Sequence, residues 1–307
     1  MKNQTKQRGT AIIVALFVTA LVAAIAIAMI DQLSTETRRT ELLLNNTQAN
    51  LYAHGSIYWA IDQLTNDYKL RQPNKLIDKT PIKSPVNTVN GAKIFSVIDD
   101  AQGKINLNNL NDVSFQLLFL QLIPLVAPHI HSEDAQNITF AVVDWITPGT
   151  NDSPFDQYYA KQNPSYRAPH RPMVSISELR MVKGMTADLY TKLLPYVTAL
   201  PDKTKININS VAIPVLMSFS PTITLETAKA LVLFREQTPF TNLDQLGNFV
   251  VVKESPIAQN NLTVTSDYFM VQTHVIIGDQ HVILHSLLMR LLKNSQPIVN
   301  VVWQGTS

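Results

Sequence analysis

Residues 6–30 read KQRGTAIIVALFVTALVAAIAIAMI, and the 21 residues from Thr10 to Ile30 contain no charged residue, glycine or proline. An α-helix of this length spans about 30 Å, the thickness of the hydrocarbon core of a bilayer. A secretory signal peptide has a shorter apolar core, followed by a small-residue cleavage site. Here the small residue, Gly9, precedes the apolar run and ends a basic leader. Cleavage after Gly9 would therefore leave the membrane helix on the mature protein.

The composition is that of a globular protein with one hydrophobic segment. Of the 307 residues, 46% are hydrophobic, and the formal net charge is +2. Three of the positive charges lie in the leader, so the rest of the chain is nearly neutral, which argues against a nucleic-acid partner. Basic residues precede the apolar run and mixed charges follow it, which predicts a cytoplasmic N-terminus and places the bulk of the chain outside the cytoplasm.

No motif of an enzyme stands out. The nine glycines form no GxGxxG, Walker or GxSxG pattern, and the seven histidines form no HExxH. The absence of cysteine excludes disulfides, thiolate metal sites and cysteine nucleophiles. His129 and His131 lie close together, but they lie in proline-containing loop sequence and are best interpreted as solvated side chains. The chain is therefore predicted not to be an enzyme.

A single long helix is predicted from Thr10 to about Tyr68, since no proline interrupts it and no glycine occurs before His54. Its first half is apolar on all faces. Its second half is amphipathic, because apolar residues recur at helical spacing at Ala53, Ile57, Ala60, Ile61 and Leu64. That face should pack on a folded domain. The proline-rich residues 66–85 should form a loop.

Strand patterns flank a block of helical patterns. A strand is predicted over residues 92–99, and a second short strand over KINLN at 104–108. Helices with good N-caps are then predicted at 111–123, 132–146, 175–185 and 186–200. A long loop over residues 147–172 separates the first two helices from the last two.

The second half of the chain repeats part of this order. KININ at 205–209 repeats KINLN and precedes a second helical pair within residues 209–247. Alternating runs on either side of a turn at 278–280, and a last strand at 297–305, predict an antiparallel sheet. Helices that interrupt an α+β order indicate an inserted domain.

Seven segments then carry a family resemblance: the leader ending at Gly9, and residues 94–99, 103–110, 142–149, 166–185, 205–216 and 234–246. In this order the set resembles the K-type minor pseudopilins of type II secretion systems. The resemblance implies an α+β, pilin-like fold, in which a long N-terminal helix packs on an antiparallel sheet. It also implies a large inserted α-helical domain of helix-hairpin-helix or SAM-like character.

With this fold the chain divides into six parts. They are a prepilin leader (1–9), the transmembrane half of the helix (10–30), the first part of the pilin-like domain (31–108), the inserted helical domain (109–204), a second helix-hairpin-helix-like unit (205–255) and the second part of the sheet (256–307).

The resemblance further implies a structural subunit at the tip of the pseudopilus in the bacterial inner membrane, with its bulk in the periplasm. There it would prime assembly with I-type and J-type minor pseudopilins on the inner-membrane secretion platform and support protein export. The prepilin peptidase would cut between Gly9 and Thr10 and methylate the new amine.

Val14 agrees with a place at the tip. Most pseudopilins carry a glutamate at the fifth mature position, which pairs with the N-terminus of a neighbouring subunit. Counted from Thr10, this position is Val14. A buried carboxylate in a membrane is costly unless it is paired. A subunit at the tip has no subunit above it whose N-terminus could pair with a glutamate, so an apolar residue is favoured at this position.

Two local motifs remain. One loop can supply oxygen ligands from Asp144, Asn151, Asp152 and Asp156. Because K-type pseudopilins bind calcium in such loops, the resemblance implies a structural Ca²⁺ there; a solvated loop is the alternative.

The helix-hairpin-helix units raise a membrane-anchored, DNA-binding competence protein as the alternative function. Their hairpins have one glycine and one lysine at Lys183-Gly184, so a packing scaffold is the simpler interpretation and no nucleic acid is expected.

Overall fold

The computed structural model describes residues 6–69, 81–149, 153–255, 257, 260–293 and 296–306 of the 307-residue chain. It begins with one uninterrupted helix, α1 (Lys6–Lys69). The predicted long helix is thereby confirmed. Of the predicted loop at 66–85, residues 70–80 lie outside the described part, and two short strands follow, β1 (Ile82–Lys83) and β2 (Asn87–Val89).

An antiparallel sheet packs against α1. Its strands are β3 (Ala92–Asp100), β8 (Tyr268–Ile277), β9 (Gln280–Lys293) and β10 (Gln296–Thr306), with β1 and β2 on the outer edge of β3. The order is β1-β3-β8-β9-β10. Strand β3 alternates strictly between buried and more exposed residues, as expected for a strand with one face on a core. The predicted turn between the two long C-terminal runs is confirmed.

The second half of α1 lies along one face of this sheet, so the position of each part of the sheet relative to the apolar half of α1 follows from the helix residues that it contacts. Ala49 and Ala53 share a cluster with the part of the sheet around Ile94. Further along the helix, Leu64 packs with Ile98 and the start of β8. The end of β3 is therefore the end of the sheet farthest from residues 10–30.

A helical insert leaves the sheet at that far end. Asp100 and Phe269 face each other across β3 and β8, and the chain between them forms the insert. Its further strands are β4 (Ile105–Asn106), β5 (Val197–Thr198), β6 (Ile206–Asn207) and β7 (Leu262–Thr263). Its helices are α2 (Val113–Val126), α3 (Ser132–Ile146), α4 (Asp156–Ala160), α5 (Ala187–Leu193), α6 (Ile213–Met217), α7 (Leu225–Gln237) and α8 (Val250–Lys253), with 3₁₀ turns that include Ile176–Met181 and Leu243–Asn248.

Most of the buried apolar residues that the structure describes in the insert belong to one hydrophobic core. One cluster of buried residues extends from Ile105 to Leu262 and includes side chains from both helical units. The KINLN strand pairs in parallel with β5 and not with the large sheet, and β7 pairs with β6. The predicted boundaries at residues 108 and 256 thus lie inside the insert, which is the chain between Asp100 and Phe269; the division into two units stays a prediction.

Two predicted helices are shorter in the structure. The helix expected over 186–200 ends at Leu193, and Val197 then pairs with Ile105. Pro195 explains this, because proline removes a backbone donor and clashes with the preceding turn. Residues 176–181 form a 3₁₀ turn with a Ser175–Glu178 capping box instead of a full helix.

Candidate functional site

The predicted processing junction lies within α1. Gly9, Thr10 and Val14 occupy its first turns, and the Val14 side chain is 60% exposed. Among the described residues α1 is the single helix long and apolar enough to cross a membrane, and none of its most apolar window is buried against the protein. This surface is available to lipid or to other helices.

The acidic loop begins at the end of α3. Asp144 lies in the last turn of this helix, and its Oδ2 atom is buried without a hydrogen-bond partner among the described residues. Asp156 begins α4. Asn151 and Asp152, the other two predicted calcium ligands, lie outside the described residues, and within these no group of three histidines or carboxylates could hold a metal ion.

His170 joins the two ends of this loop, a role that the sequence pattern did not indicate. Its Nδ1 atom is 3.1 Å from the backbone oxygen of Asp144, and its Nε2 atom is 3.3 Å from Oδ1 of Asp156. Its backbone has a positive φ of 45°. Both neighbours are hydrogen-bond acceptors, and a neutral imidazole can donate to only one of them. The ring thus contacts both ends of the loop, one through each nitrogen.

The repeated KINLN and KININ segments each place a buried asparagine as a clamp. Asn108 donates from Nδ2 to the carbonyls of Met173 and Leu200, both at 2.9 Å, and accepts from the Met173 amide at 2.7 Å. A buried amide that makes three such bonds ties distant segments of one unit together.

Asn209 makes the matching contacts in the second unit. It donates to the carbonyls of Phe240 at 2.9 Å and Val264 at 3.0 Å, and accepts from the Phe240 amide at 2.9 Å. Both Met173 and Phe240 follow a proline and precede a capping box. The repeat seen in the sequence is therefore a repeat of structure.

Asp100 joins the insert to the sheet. Its buried carboxylate accepts hydrogen bonds from Asn207, Ser210 and Ser266, and from the Gln102 amide. Burial raises the pKa of this carboxyl, and the donated hydrogen bonds oppose that rise. The group lies where β3, β6 and the start of β8 meet, so it connects three segments with one side chain.

The first helix hairpin is used for packing. Gly184 has a φ of +85°, and a Cβ atom at this position would lie 2.8 Å from Cγ1 of Ile138. Lys183 has its ammonium group 5.3 Å from the ring centres of both Phe155 and Tyr158. The glycine and the lysine that a phosphate site would need thus have contacts within the insert.

Comparison with known proteins gives consistent matches. The protein-family model described as Type II secretion system (T2SS), protein K matches residues 103–202. The Type II secretion system protein K of Pectobacterium carotovorum subsp. carotovorum is 33% identical over 310 residues, which cover 93% of each chain. The protein K of Klebsiella pneumoniae is 30% identical, again over 93% of each chain.

A solved structure has the same fold. It is a chain of the GspK-GspI-GspJ complex from the type 2 secretion system of enterotoxigenic Escherichia coli. The match has a TM-score of 0.69 at 23% identity and covers 88% of this chain and 99% of that one. The fold with its helical insert thus extends over almost the whole neighbour.

Proposed function

The chain belongs to the type II secretion system protein K family, the K-type minor pseudopilins, and we propose that it is a non-enzymatic subunit at the tip of the pseudopilus that primes assembly and supports protein export. The observation that carries this proposal is the position of the insert. It leaves and rejoins the sheet at the end farthest from the apolar half of α1. A body at that end occupies the space that a further subunit above it would need.

The tip position is tested by gold labelling of an epitope in the insert on pseudopili from cells that overproduce the major subunit. Label at one end of each filament is expected. Label along the filaments would contradict the proposal, and an epitope on the major subunit provides the control for access of the antibody.

The proposed partners are the I-type and J-type minor pseudopilins. Support comes from the matched chain, whose structure is described as a GspK-GspI-GspJ complex. The exposed apolar residues of α1 offer the surface along which partner helices would pack. Co-expression of the three full-length chains and purification in detergent should give one complex; separate elution of this chain from both partners would contradict it.

The N-terminal segment supports an inner-membrane location with the leader in the cytoplasm and the bulk in the periplasm. We propose that the prepilin peptidase cuts between Gly9 and Thr10, and that the Thr10 amine is then methylated. Val14, which cannot pair with the N-terminus of a neighbour, fits a subunit with none above it. Gly9→Leu should leave the precursor uncut, as measured by mass spectrometry; a normally processed variant would overturn this step.

A structural Ca²⁺ is proposed in the acidic loop. Asp144 has a buried carboxylate oxygen without a partner among the described residues, and such an oxygen suits a hard cation. Asp144 and Asp156, with Asn151 and Asp152, would hold the ion. When bound it would supply positive charge that holds the loop in place, and no chemistry of bond breaking.

Calcium binding is tested by thermal unfolding with Ca²⁺ and with a chelator. A ligand at about 100 times its dissociation constant stabilises the folded state by about 2.7 kcal/mol. Asp144→Asn should lose this stabilisation, while the exposed control Asp62→Asn should keep it. Equal stabilisation of the two variants by Ca²⁺ would show that Asp144 does not bind the ion.

A further inference from the structure

Three histidines lie on the face of the sheet that α1 does not cover. Phe95 faces His274 across β3 and β8, and Phe95 alternates with the residues that pack on α1. His274 faces Ile283 across β8 and β9, so His281 and His285 share its face. Near the insert this outer face is covered, since Leu287 packs with Leu200. The histidines lie toward the other end.

Two of these rings are held edge to edge. Nδ1 of His274 is 3.1 Å from Nε2 of His281, with the planes 25° apart. His274 stacks on Phe95 with 4.6 Å between ring centres and 8° between planes. At the adjacent turn, Asp279 forms an ion pair with Arg38 of α1 at 3.4 Å. The His274 ring is thus held against Phe95, and the turn that precedes His281 is joined to α1.

The distance of 3.1 Å between Nδ1 of His274 and Nε2 of His281 is close to the distance between two nitrogen atoms that bind the same metal ion. Zinc–nitrogen bonds of about 2.0–2.1 Å in tetrahedral geometry place two imidazole nitrogens about 3.3 Å apart. Imidazole is a preferred ligand of divalent zinc, copper and nickel. A change of tautomer in the donating ring moves its proton from the facing nitrogen to the far nitrogen of the same ring, so that both facing nitrogens present lone pairs.

We propose that His274 and His281 bind one divalent transition-metal ion on the outer face of the sheet. Within the described residues no third histidine or carboxylate completes a metal site. Water, or a side chain of an adjacent subunit, therefore fills the remaining positions. The site differs from the proposed calcium loop in its nitrogen ligands and in its element, because the loop belongs to the insert.

Burial and the two other histidines lower the pKa of His274, and this favours the neutral ring that a metal requires. Stacking on Phe95 already restricts the orientation of the His274 ring, so this ring loses little rotational freedom when the ion binds. The site is thus partly formed before the metal arrives.

The first test is calorimetric titration of Zn²⁺ into the full-length chain in detergent, with excess Ca²⁺ present throughout to fill the acidic loop. One ion per chain is expected. His281→Gln should weaken Zn²⁺ binding by more than about tenfold, since loss even of a residue that hydrogen-bonds to a metal ligand lowers metal affinity about 10–100-fold. The matched control is His131→Gln, an exposed loop histidine of the insert.

The second test is the spectrum of bound Cu²⁺ by electron paramagnetic resonance. Hyperfine lines from two imidazole nitrogens are expected in the wild-type chain and from one in His274→Gln. Wild-type Zn²⁺ affinity in His281→Gln, or no Zn²⁺ binding by the wild-type chain, would overturn the proposal. His281 is exposed, so its substitution leaves the core unchanged.

Discussion

At the scale of single residues, buried polar side chains hold the insert together and join it to the sheet. Asn108 and Asn209 each tie three backbone groups, and Asp100 accepts four hydrogen bonds at the junction. A buried polar group is favourable only when its hydrogen bonds are made. Each of these residues therefore specifies one arrangement of segments that lie far apart in the sequence.

Asn209→Leu tests this clamp with a side chain of similar size. The change leaves the amide and carbonyl of Phe240 and the carbonyl of Val264 without the bonds from Asn209. Each buried unpaired group costs about 1–3 kcal/mol, so a loss of roughly 3 kcal/mol or more is expected. Chemical unfolding in detergent measures it. Asn108→Leu should cost about as much, while the exposed control Asn300→Leu should cost little; equal losses in all three would refute the clamp.

Asp100 should make stability depend on pH. Its pKa is raised in the folded protein, so its contribution is full below the unfolded pKa and is lost as pH rises through the folded pKa. The slope reaches at most about 1.4 kcal/mol per pH unit between the two pKa values. In Asp100→Asn this slope should vanish, so the stability of the variant relative to wild type should rise with pH.

The measurement is the free energy of unfolding at several pH values from about 4 upward. The exposed carboxylate Asp134 provides the matched substitution, Asp134→Asn, which should follow the wild-type curve. A constant difference between wild type and Asp100→Asn across this range would show that Asp100 does not titrate in it.

At the scale of elements, α1 performs two roles with one helix. Its first half exposes apolar side chains on every side, whereas its second half buries one face against the sheet. The change from an exposed apolar half to a half that packs on the sheet depends on amino-acid composition alone, because the helix continues without a break. An element of this kind anchors the chain and also carries its folded domain.

Leu64→Ala tests the buried face of α1. Leu64 is fully buried against Ile98 and Phe269, and loss of a buried leucine side chain costs about 2–5 kcal/mol. Leu51, on the same helix, is 68% exposed, so Leu51→Ala is the matched control with little expected loss. Thermal unfolding followed by circular dichroism compares them; similar melting temperatures would contradict the packing described.

At the scale of the whole molecule, the insert is a long detour between two neighbouring strands. Asp100 and Phe269 face each other, and opposed residues in an antiparallel pair lie about 4.5–5.5 Å apart. The sheet and α1 can therefore close without the insert. This separates the part that resembles an ordinary pilin from the part that gives the subunit its bulk.

Replacing residues 101–268 by Asn-Gly should give a two-residue hairpin. Leu287→Thr accompanies it, because the insert no longer covers Leu287. The variant should still be processed, but gold label on an epitope at its C-terminus should occur along filaments and not only at their ends. The full chain with Leu287→Thr is the control and should stay at the ends. End-only label on the shortened variant would show that the insert does not set the position.

Much of the fold follows from local patterns. The long helix, the β3 strand and the C-terminal hairpin were predictable because helical and strand periodicities depend on neighbouring residues. The helix predicted over 186–200 was too long because Pro195 and the pairing of Val197 with Ile105 end it. Of the proposed calcium ligands, Asp144 and Asp156 are joined by His170, whose position no spacing in the sequence indicates.

The sequence by itself determined the long apolar helix and the α+β order, and it predicted the Gly9–Thr10 junction and the tip role of Val14, since each depends on residues adjacent along the chain. Only the tertiary structure decided which groups meet across long separations: Asp100 with Ser266, Asn209 with Val264, and His274 with His281 across the hairpin. Such contacts depend on strand register and on the closing of long loops. The free energy that fixes them comes from burial in the common cores, which no single segment forms alone.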